Sequence, residues 1–179
     1  MQKKFIGTLF LAAGLVLAQP PEHKAHQKTA AAMSPHQFAT EAAIGNMAEV
    51  ELGRMAASKA TNADVKKFGQ RMVDDHGKAL DELKSVAGKE NIQLPTEVDA
   101  KHKAVSDRLS KLSGAEFDKA YVKEMVKDHD TDVKLFERES QHGTNAAIKD
   151  YAGKTLPTLQ EHQRMIKDID GKMMGKPSV

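Results

Sequence analysis

Apolar residues recur at helical spacing along four long stretches of the chain. Positions three or four apart lie on one face of an α-helix, and such a face packs against a core. No stretch shows the alternation that is typical of a β-strand. The pattern therefore predicts an all-α protein with four apolar stripes: Phe38, Ala42, Gly45, Leu52, Ala56; Phe68, Met72, His76, Leu80, Leu83, Ala87; Tyr121, Met125, His129, Val133, Phe136; and Ile148, Tyr151, Thr155, Leu159, His162, Ile166, Ile169.

Capping signals set the expected limits of the helices. Ser34 with Gln37, and Ser113 with Glu116, have the spacing of a capping box. Pro157 is expected to kink the last helix, because proline removes a backbone donor and crowds the preceding turn. The predicted helices cover residues 34–60, 63–89, 97–112 with Thr96 as the cap, 113–142 and 146–172.

The connections between these helices predict their arrangement. Short turns at residues 61–62 and at Gly143 make the helices on either side antiparallel neighbours. The shorter helix over residues 97–112 is long enough to carry the chain back along the bundle. The sequence therefore predicts a four-helix bundle with a short crossover helix, although an up-and-down array of five helices also fits the pattern.

The two ends of the chain have a different composition. Residues 1–18 combine a basic start with an apolar run that ends in the small residues Val16 and Ala18, the pattern of a secretory signal. The run is shorter than the roughly 20 residues of a membrane-spanning helix, so we expect no transmembrane segment in the mature chain. Residues 19–33 are predicted to form a flexible linker, residues 34–172 the bundle and residues 173–179 a disordered tail.

Each of the four long helices interrupts its apolar stripe once with a residue that can ligate a metal. These residues are Glu49, His76, His129 and His162. The second and third of these long helices, residues 63–89 and 113–142, also repeat the phrase Met-Val-x-Asp-His at an offset of 53 residues. Imidazole and carboxylate together suit Fe, Zn, Mn or Cu, and helical bundles build such sites in their cores. The sequence therefore predicts a site for one transition-metal ion.

An acid precedes each of the three core histidines directly: Asp75, Asp128 and Glu161. One residue corresponds to a rotation of about 100° around a helix, so these acids cannot easily bind the same ion. They are predicted to orient the imidazole of a neighbouring helix instead. The alternative is an ion-free network of buried hydrogen bonds between Glu49 and the histidines, which would set the register of the bundle.

Composition excludes several functions. The absence of cysteine excludes disulfides, thiolate metal sites and thiol nucleophiles. The formal net charge is +2, and without Lys3 and Lys4 the basic and acidic residues balance, so no nucleic-acid partner is expected. The sequence has no Gly-rich phosphate loop, nucleophile elbow or His-Glu-x-x-His motif. No catalytic residue is assigned, and no protein partner is indicated.

Several phrases, together with the signal, resemble the bacterial domain-of-unknown-function family 4142. They are Glu49-Val50-Glu51-Leu52-Gly53 with Lys59-Ala60, residues 65–76 (VKKFGQRMVDDH), 113–129 (SGAEFDKAYVKEMVKDH) and 156–162 (LPTLQEH). The resemblance covers about residues 34–169 and implies a ferritin-like bundle. It also implies an exported protein, in the periplasm or associated with the outer membrane.

The chain departs from di-iron ferritin-like proteins at three positions. Those proteins use Glu-x-x-His motifs, whereas Val73, Val126 and Leu159 stand three residues before the histidines here. We therefore expect a non-enzymatic binding protein with an envelope or stress-related role. The alternatives are a metal-dependent redox enzyme of ferritin-like type, and a module that docks a protein or membrane through an outer face.

Overall fold

The structure, a computed structural model, describes residues 33–175. The predicted signal, residues 19–32 of the predicted linker and the last four residues lie outside the described part. Within it, no helix is long and apolar enough to cross a membrane. The described residues form five α-helices: α1 (Pro35–Lys59), α2 (Ala63–Lys89), α3 (Ala100–Ser110), α4 (Gly114–His142) and α5 (Ala146–Met173).

Most predicted helix limits are confirmed, because local capping contacts set them. Ser34 and Gln37 form the predicted capping box, and the side chains of Asn62 and Asn145 cap α2 and α5. Helix α5 is continuous through Pro157.

Two capping predictions were wrong. Helix α3 begins at Ala100 and not at residue 97, because the Asp99 carboxylate accepts a hydrogen bond from the His102 backbone N–H at 2.8 Å. Aspartate caps a helix better than Thr96 does. The chain enters α4 through Gly114 at φ +58°, and the Ser113 side chain makes no capping hydrogen bond.

Contacts at the two ends of the bundle define its topology. At one end, Thr61 Oγ1, between α1 and α2, donates a hydrogen bond of 2.6 Å to the Asp118 carboxylate at the start of α4. At the other end, Asn145 Nδ2, before α5, donates to Glu90 Oε2, after α2, at 2.6 Å. Helices α2 and α4 therefore run in parallel, and the segment containing α3 returns the chain along the bundle. The predicted crossover bundle is confirmed, and the up-and-down array of five helices is wrong.

The core has two apolar clusters, one toward each end of the bundle. One is built around Phe68, Phe117 and Tyr121, and the other around Phe38, Phe136 and Tyr151. Each long helix contributes residues to both clusters, and at least one buried polar residue lies between the two contributions. The middle of the bundle is therefore a buried polar layer, formed by Asn46, Glu49, His76, His129 and His162.

Helices α1 and α2 approach each other closely at two glycines. A Cβ added to Gly53 would lie 2.7 Å from the Gly69 carbonyl oxygen and 2.9 Å from Met72 Cβ. A Cβ added to Gly69 would lie 2.7 Å from Ala56 Cβ. The missing side chains therefore let the two backbones come together one to two turns from the polar layer.

Candidate metal centre

Three histidines from three helices meet in the polar layer. His76 of α2 is 2% exposed, and His129 of α4 and His162 of α5 are fully buried. Their ring centroids are 5.4 Å (His76–His162), 5.5 Å (His129–His162) and 5.8 Å (His76–His129) apart. One ring nitrogen of each lies within 4.8 Å of those of the other two. The helical stripes bring the rings together because each occupies the central buried position of its helix.

His76 and His129 each make a hydrogen bond through Nδ1, and this bond fixes the position of the ring proton. His76 Nδ1–H donates to Asn46 Oδ1 at 2.9 Å, and Asn46 is oriented because its own Nδ2 donates to Tyr151 OH at 3.2 Å. His129 Nδ1–H donates to the carbonyl oxygen of Met125 at 3.0 Å, one turn earlier in α4. In both rings the proton therefore lies on Nδ1, and Nε2 carries a lone pair.

His162 is held in the opposite tautomer. Its Nε2–H donates to Asp75 Oδ2 at 2.9 Å, which leaves the lone pair on Nδ1. The Asp75 carboxylate is itself held by Arg71 Nε at 3.1 Å, and Arg71 Nη2 forms an ion pair with Glu161 Oε2 at 3.0 Å. Contacts between residues of alternating charge therefore link the surface of α5 to the buried imidazole. They run from Glu161 to Arg71, from Arg71 to Asp75, and from Asp75 to the neutral His162.

The remaining nitrogens have no hydrogen-bond partner among the described residues. They are His76 Nε2, His129 Nε2 and His162 Nδ1, all buried. Each ring's only N–H is already donated to Asn46, to the Met125 carbonyl or to Asp75, so the histidines cannot satisfy one another. By elimination, these three lone pairs are the ones available to a shared ligand.

The surroundings keep the imidazoles neutral. Burial lowers the pKa of His76 well below its usual value, and the other two histidines lower it further. Burial, followed by the effect of His162, lowers the pKa of His129 to about 4. Burial also lowers the pKa of His162, although Asp75 acts in the opposite direction. Neutral imidazole is the form that binds metal ions.

Phe68 covers one side of the cluster. Its fully buried ring lies 5.8 Å from the His129 ring and 6.2 Å from the His162 ring, edge to face in both cases. The ring belongs to one of the two apolar clusters. An ion among the histidines would therefore be screened from water on this side.

Glu49, the fourth predicted ligand, is placed differently from the histidines. Its Oε1 lies 3.5 Å from His129 Nδ1, the nitrogen whose hydrogen is directed to Met125. The group of close ligand atoms that contains the three histidines does not include it. Glu49 instead forms a second close group with Asp128 and Asp132.

This acidic group favours bound protons when no cation is present. Burial raises the pKa of Glu49 well above its usual value, and the charges of Asp128 and Asp132 raise it further. Burial, with a contribution from Asp128, raises the pKa of Asp132 to about 8.

The three acids that the sequence predicts to orient imidazoles have three different environments. Asp75 contacts the imidazole of a neighbouring helix, His162. Glu161 reaches that imidazole only through Arg71 and Asp75. Asp128 lies with Glu49 and Asp132.

Sequence analysis missed three residues at this site: Asn46, Arg71 and Asp132. The amide three residues before Glu49 was the available signal for Asn46, but the predicted stripe runs through Gly45, which is only half-buried, whereas Asn46 is buried. Arg71 precedes Asp75 by four residues, the spacing of a helical ion pair. Asp132 follows Asp128 by four residues and was not singled out.

The donor set fits a transition-metal ion. Three neutral imidazoles suit Zn, Cu, Fe or Ni. Metal-bound histidines characteristically donate their other N–H to a carboxylate or a carbonyl. His162 and His129 do so here, and His76 donates to the side-chain carbonyl of Asn46. The site therefore has both the ligands and the outer contacts that an ion requires.

Solved structures with low sequence identity share this fold. A DUF305 protein from Streptomyces coelicolor is 13% identical, with a TM-score of 0.66 and coverage of 82% of this chain and 98% of that chain. A DUF305 fragment from Deinococcus radiodurans is 12% identical, with a TM-score of 0.68 and coverage of 77% and 95%. CopM in its Cu(II)-bound form is 14% identical, with a TM-score of 0.66 and coverage of 78% and 97%.

Comparison with curated proteins gives no match. The family model described as "Domain of unknown function (DUF4142)" matches residues 20–169, which is most of the chain and includes all three buried histidines. The chain therefore belongs to the DUF4142 family.

Proposed function

We propose that this protein is exported and binds one transition-metal ion, copper or zinc, through His76, His129 and His162. The observation that carries the proposal is the convergence of three buried imidazoles. One ring nitrogen of each lies within 4.8 Å of those of the other two, and each ring has one nitrogen without a hydrogen-bond partner among the described residues. We propose that its role is to bind the ion and not to catalyse a reaction.

An ion accounts for this geometry better than an ion-free polar network does. In a network, each inward lone pair would need a donor, but each ring's hydrogen is already used in an outward contact. Leaving a buried polar atom unpaired costs about 1–3 kcal/mol, and here three such atoms lie together. A cation would satisfy all three at once.

The ligands favour copper or zinc over iron. Complexes of divalent ions with nitrogen ligands are most stable for Cu²⁺ in the first-row series. A di-iron site would need the acids that Val73, Val126 and Leu159 replace. The Cu(II)-bound form of CopM, a neighbour in fold, supports copper in particular.

Two further observations support an exported binding protein. A catalytic metal needs a position that substrate can reach. Three histidines leave one coordination position to another ligand, but all three are buried and Phe68 covers one side, so access to that position is restricted. Export rests on the signal pattern of residues 1–18 and on the neighbour from S. coelicolor, which is described as a candidate secreted protein.

Metal analysis of the protein, purified without a chelator or an affinity-tag metal, tests the proposal. We expect roughly one copper or zinc ion per chain, because the three histidines form one ligand set. The His76→Ala/His129→Ala variant should lose the ion. The control, His142→Ala, changes an exposed histidine at the end of α4 and should retain it.

Circular dichroism of the same samples separates loss of ligands from loss of fold. A folded wild-type protein that stays metal-free after incubation with Cu²⁺ and with Zn²⁺ would refute the proposal. Turnover in a redox assay of the copper-loaded protein would favour the alternative, a metal-dependent enzyme of ferritin-like type.

A further inference from the structure

We propose a second cation site on the other side of His129, formed by Glu49, Asp128 and Asp132 and selective for an oxygen-preferring divalent ion such as Mn²⁺, Mg²⁺ or Ca²⁺. One carboxylate oxygen of each residue lies within 4.8 Å of those of the other two. Such ions bind carboxylate oxygens at about 2.0–2.6 Å, so oxygens around one ion lie up to about 5 Å apart. The three acids therefore already have the spacing of ligands of one ion.

The helices α1 and α4 bring these acids together. Asp128 and Asp132 are four residues apart in α4 and so lie on one face of the helix. Glu49 reaches them from α1, and Gly45, one turn before it, places no side chain against the cluster. A Cβ at Gly45 would lie 3.7 Å from Asp132 Oδ2, so the Asp132 carboxylate lies against α1 at this point.

Glu49 provides an independent indication of a ligand. The residue is fully buried, and neither of its carboxylate oxygens has a hydrogen-bond partner among the described residues. A carboxylate that is desolvated in this way is normally paired with a charge or coordinates a metal. Its neighbours in the cluster are acids, so without a cation Glu49 has to hold a proton, and a cation is the partner that would satisfy its ionised form.

The neighbouring basic groups do not supply that partner. None of the described lysines or arginines forms an ion pair with Glu49, Asp128 or Asp132. Lys101 lowers the pKa of Asp132 only from a distance, and this effect is smaller than that of burial. The His129 Nδ1–H is directed to the carbonyl oxygen of Met125. The cluster therefore has an unmatched negative charge when its acids are ionised.

The second site differs from the imidazole site in ligand chemistry and in solvent access. Carboxylate oxygens prefer Mg²⁺, Ca²⁺ and Mn²⁺, whereas imidazoles prefer copper and zinc. Asp128 is only half-buried, so water can complete the coordination shell on its side of the cluster. The inference goes beyond the proposed function and does not depend on occupation of the imidazole site.

A Mn²⁺ titration of the chelator-treated protein, followed by electron paramagnetic resonance, tests this inference. Binding removes the signal of the free aqueous ion, and we expect saturation at roughly one Mn²⁺ per chain. Asp132→Asn keeps the shape of the side chain but removes its charge, and it should weaken binding at least about tenfold. Asp130→Asn is the matched control, because Asp130 also lies close to His129 but pairs with Lys167 on α5.

The His76→Ala variant separates the two sites. It should lose copper or zinc and bind Mn²⁺ as the wild type does, whereas Asp132→Asn should lose Mn²⁺ and retain the other metal. An undiminished signal of free Mn²⁺ with the wild type would overturn the inference. So would equal Mn²⁺ binding by the wild type and Asp132→Asn, or loss of Mn²⁺ binding in His76→Ala.

Discussion

At the scale of single residues, the outward hydrogen bonds of the three imidazoles determine what the site can do. Asn46, the Met125 carbonyl and Asp75 each accept one N–H and thereby direct one lone pair inward. Two of these acceptors are neutral, and only Asp75 carries a charge. Its charge makes His162 a stronger donor to a cation, because the carboxylate stabilises positive charge on the ring.

We predict that Asp75→Asn weakens copper binding about 10- to 100-fold, the usual effect of changing a residue that supports a metal-bound histidine. The asparagine oxygen can still accept the His162 hydrogen, so the fold should be retained while the charge is lost. A competition titration against a chelator of known affinity measures the change.

Asp74→Asn is the control for this substitution. Asp74 is the neighbouring acid on α2, but it is exposed and accepts a hydrogen bond from Gln70 on the same helix. The affinity of the Asp74→Asn variant for copper should equal that of the wild type. Equal losses in the two variants would mean that the general negative charge of α2, and not the contact with His162, sets the affinity.

At the scale of helices, the spacing of α1 and α2 depends on Gly53 and Gly69. We predict that Gly53→Ala destabilises the protein by about 1–3 kcal/mol, the usual cost of overpacking. The added Cβ would meet the backbone oxygen of Gly69 at 2.7 Å, and that atom cannot move aside without shifting the helix. The free energy of unfolding from urea denaturation measures the effect.

Gly77→Ala is the opposite case within the same helix pair. Nothing lies within 4 Å of a Cβ built at Gly77. Alanine is favoured over glycine in a helix by about 0.5–1 kcal/mol, so this variant should be more stable than the wild type. If Gly53→Ala were stabilising as well, α1 and α2 would not be in close contact at this point.

Helix limits were largely predictable, because stripes and caps are local properties of the sequence. The start of α3 was not predicted, although the stronger capping preference of aspartate over threonine was a local signal for Asp99. The periodicity placed the three histidines on inward faces, but it did not specify the side of the bundle axis to which each side chain points. For this reason the sequence could not separate Glu49 from the histidines, nor predict the contact between Asn46 and His76.

At the scale of the whole molecule, two apolar clusters enclose a layer of ionisable groups. Burial keeps the histidines of this layer without an added proton, whereas it keeps two of the acids protonated. The three histidines are held neutral, with pKa values below their ordinary value of 6.5. Glu49 and Asp132 are held protonated, with pKa values above their ordinary ones. Without metal, the folded layer is therefore stabilised most at a pH at which the histidines stay neutral and these two acids stay protonated.

We predict that the metal-free protein is most stable near pH 6. The direction in which stability changes on either side follows from the number of protons that the folded and unfolded states bind. Below about pH 6.5 the unfolded chain protonates three imidazoles that the folded protein keeps neutral, so stability falls as the pH falls. From about pH 5 upward the folded protein retains protons on Glu49 and Asp132 that the unfolded chain has released, and above about pH 6 this effect exceeds that of the imidazoles. Stability then falls as the pH rises, until Asp132 ionises at about 8.

Urea denaturation in the presence of a chelator, repeated between about pH 5 and pH 8, measures this profile. Each proton by which the two states differ contributes about 1.4 kcal/mol per pH unit, so the decline on the alkaline side should be readily measurable. The Glu49→Gln/Asp132→Asn variant removes both acids, and its alkaline decline should disappear while the acid decline remains. A wild-type stability that rises steadily from pH 6 to pH 8 would show that these acids are ionised in the folded protein, and that the polar layer is not held together by retained protons.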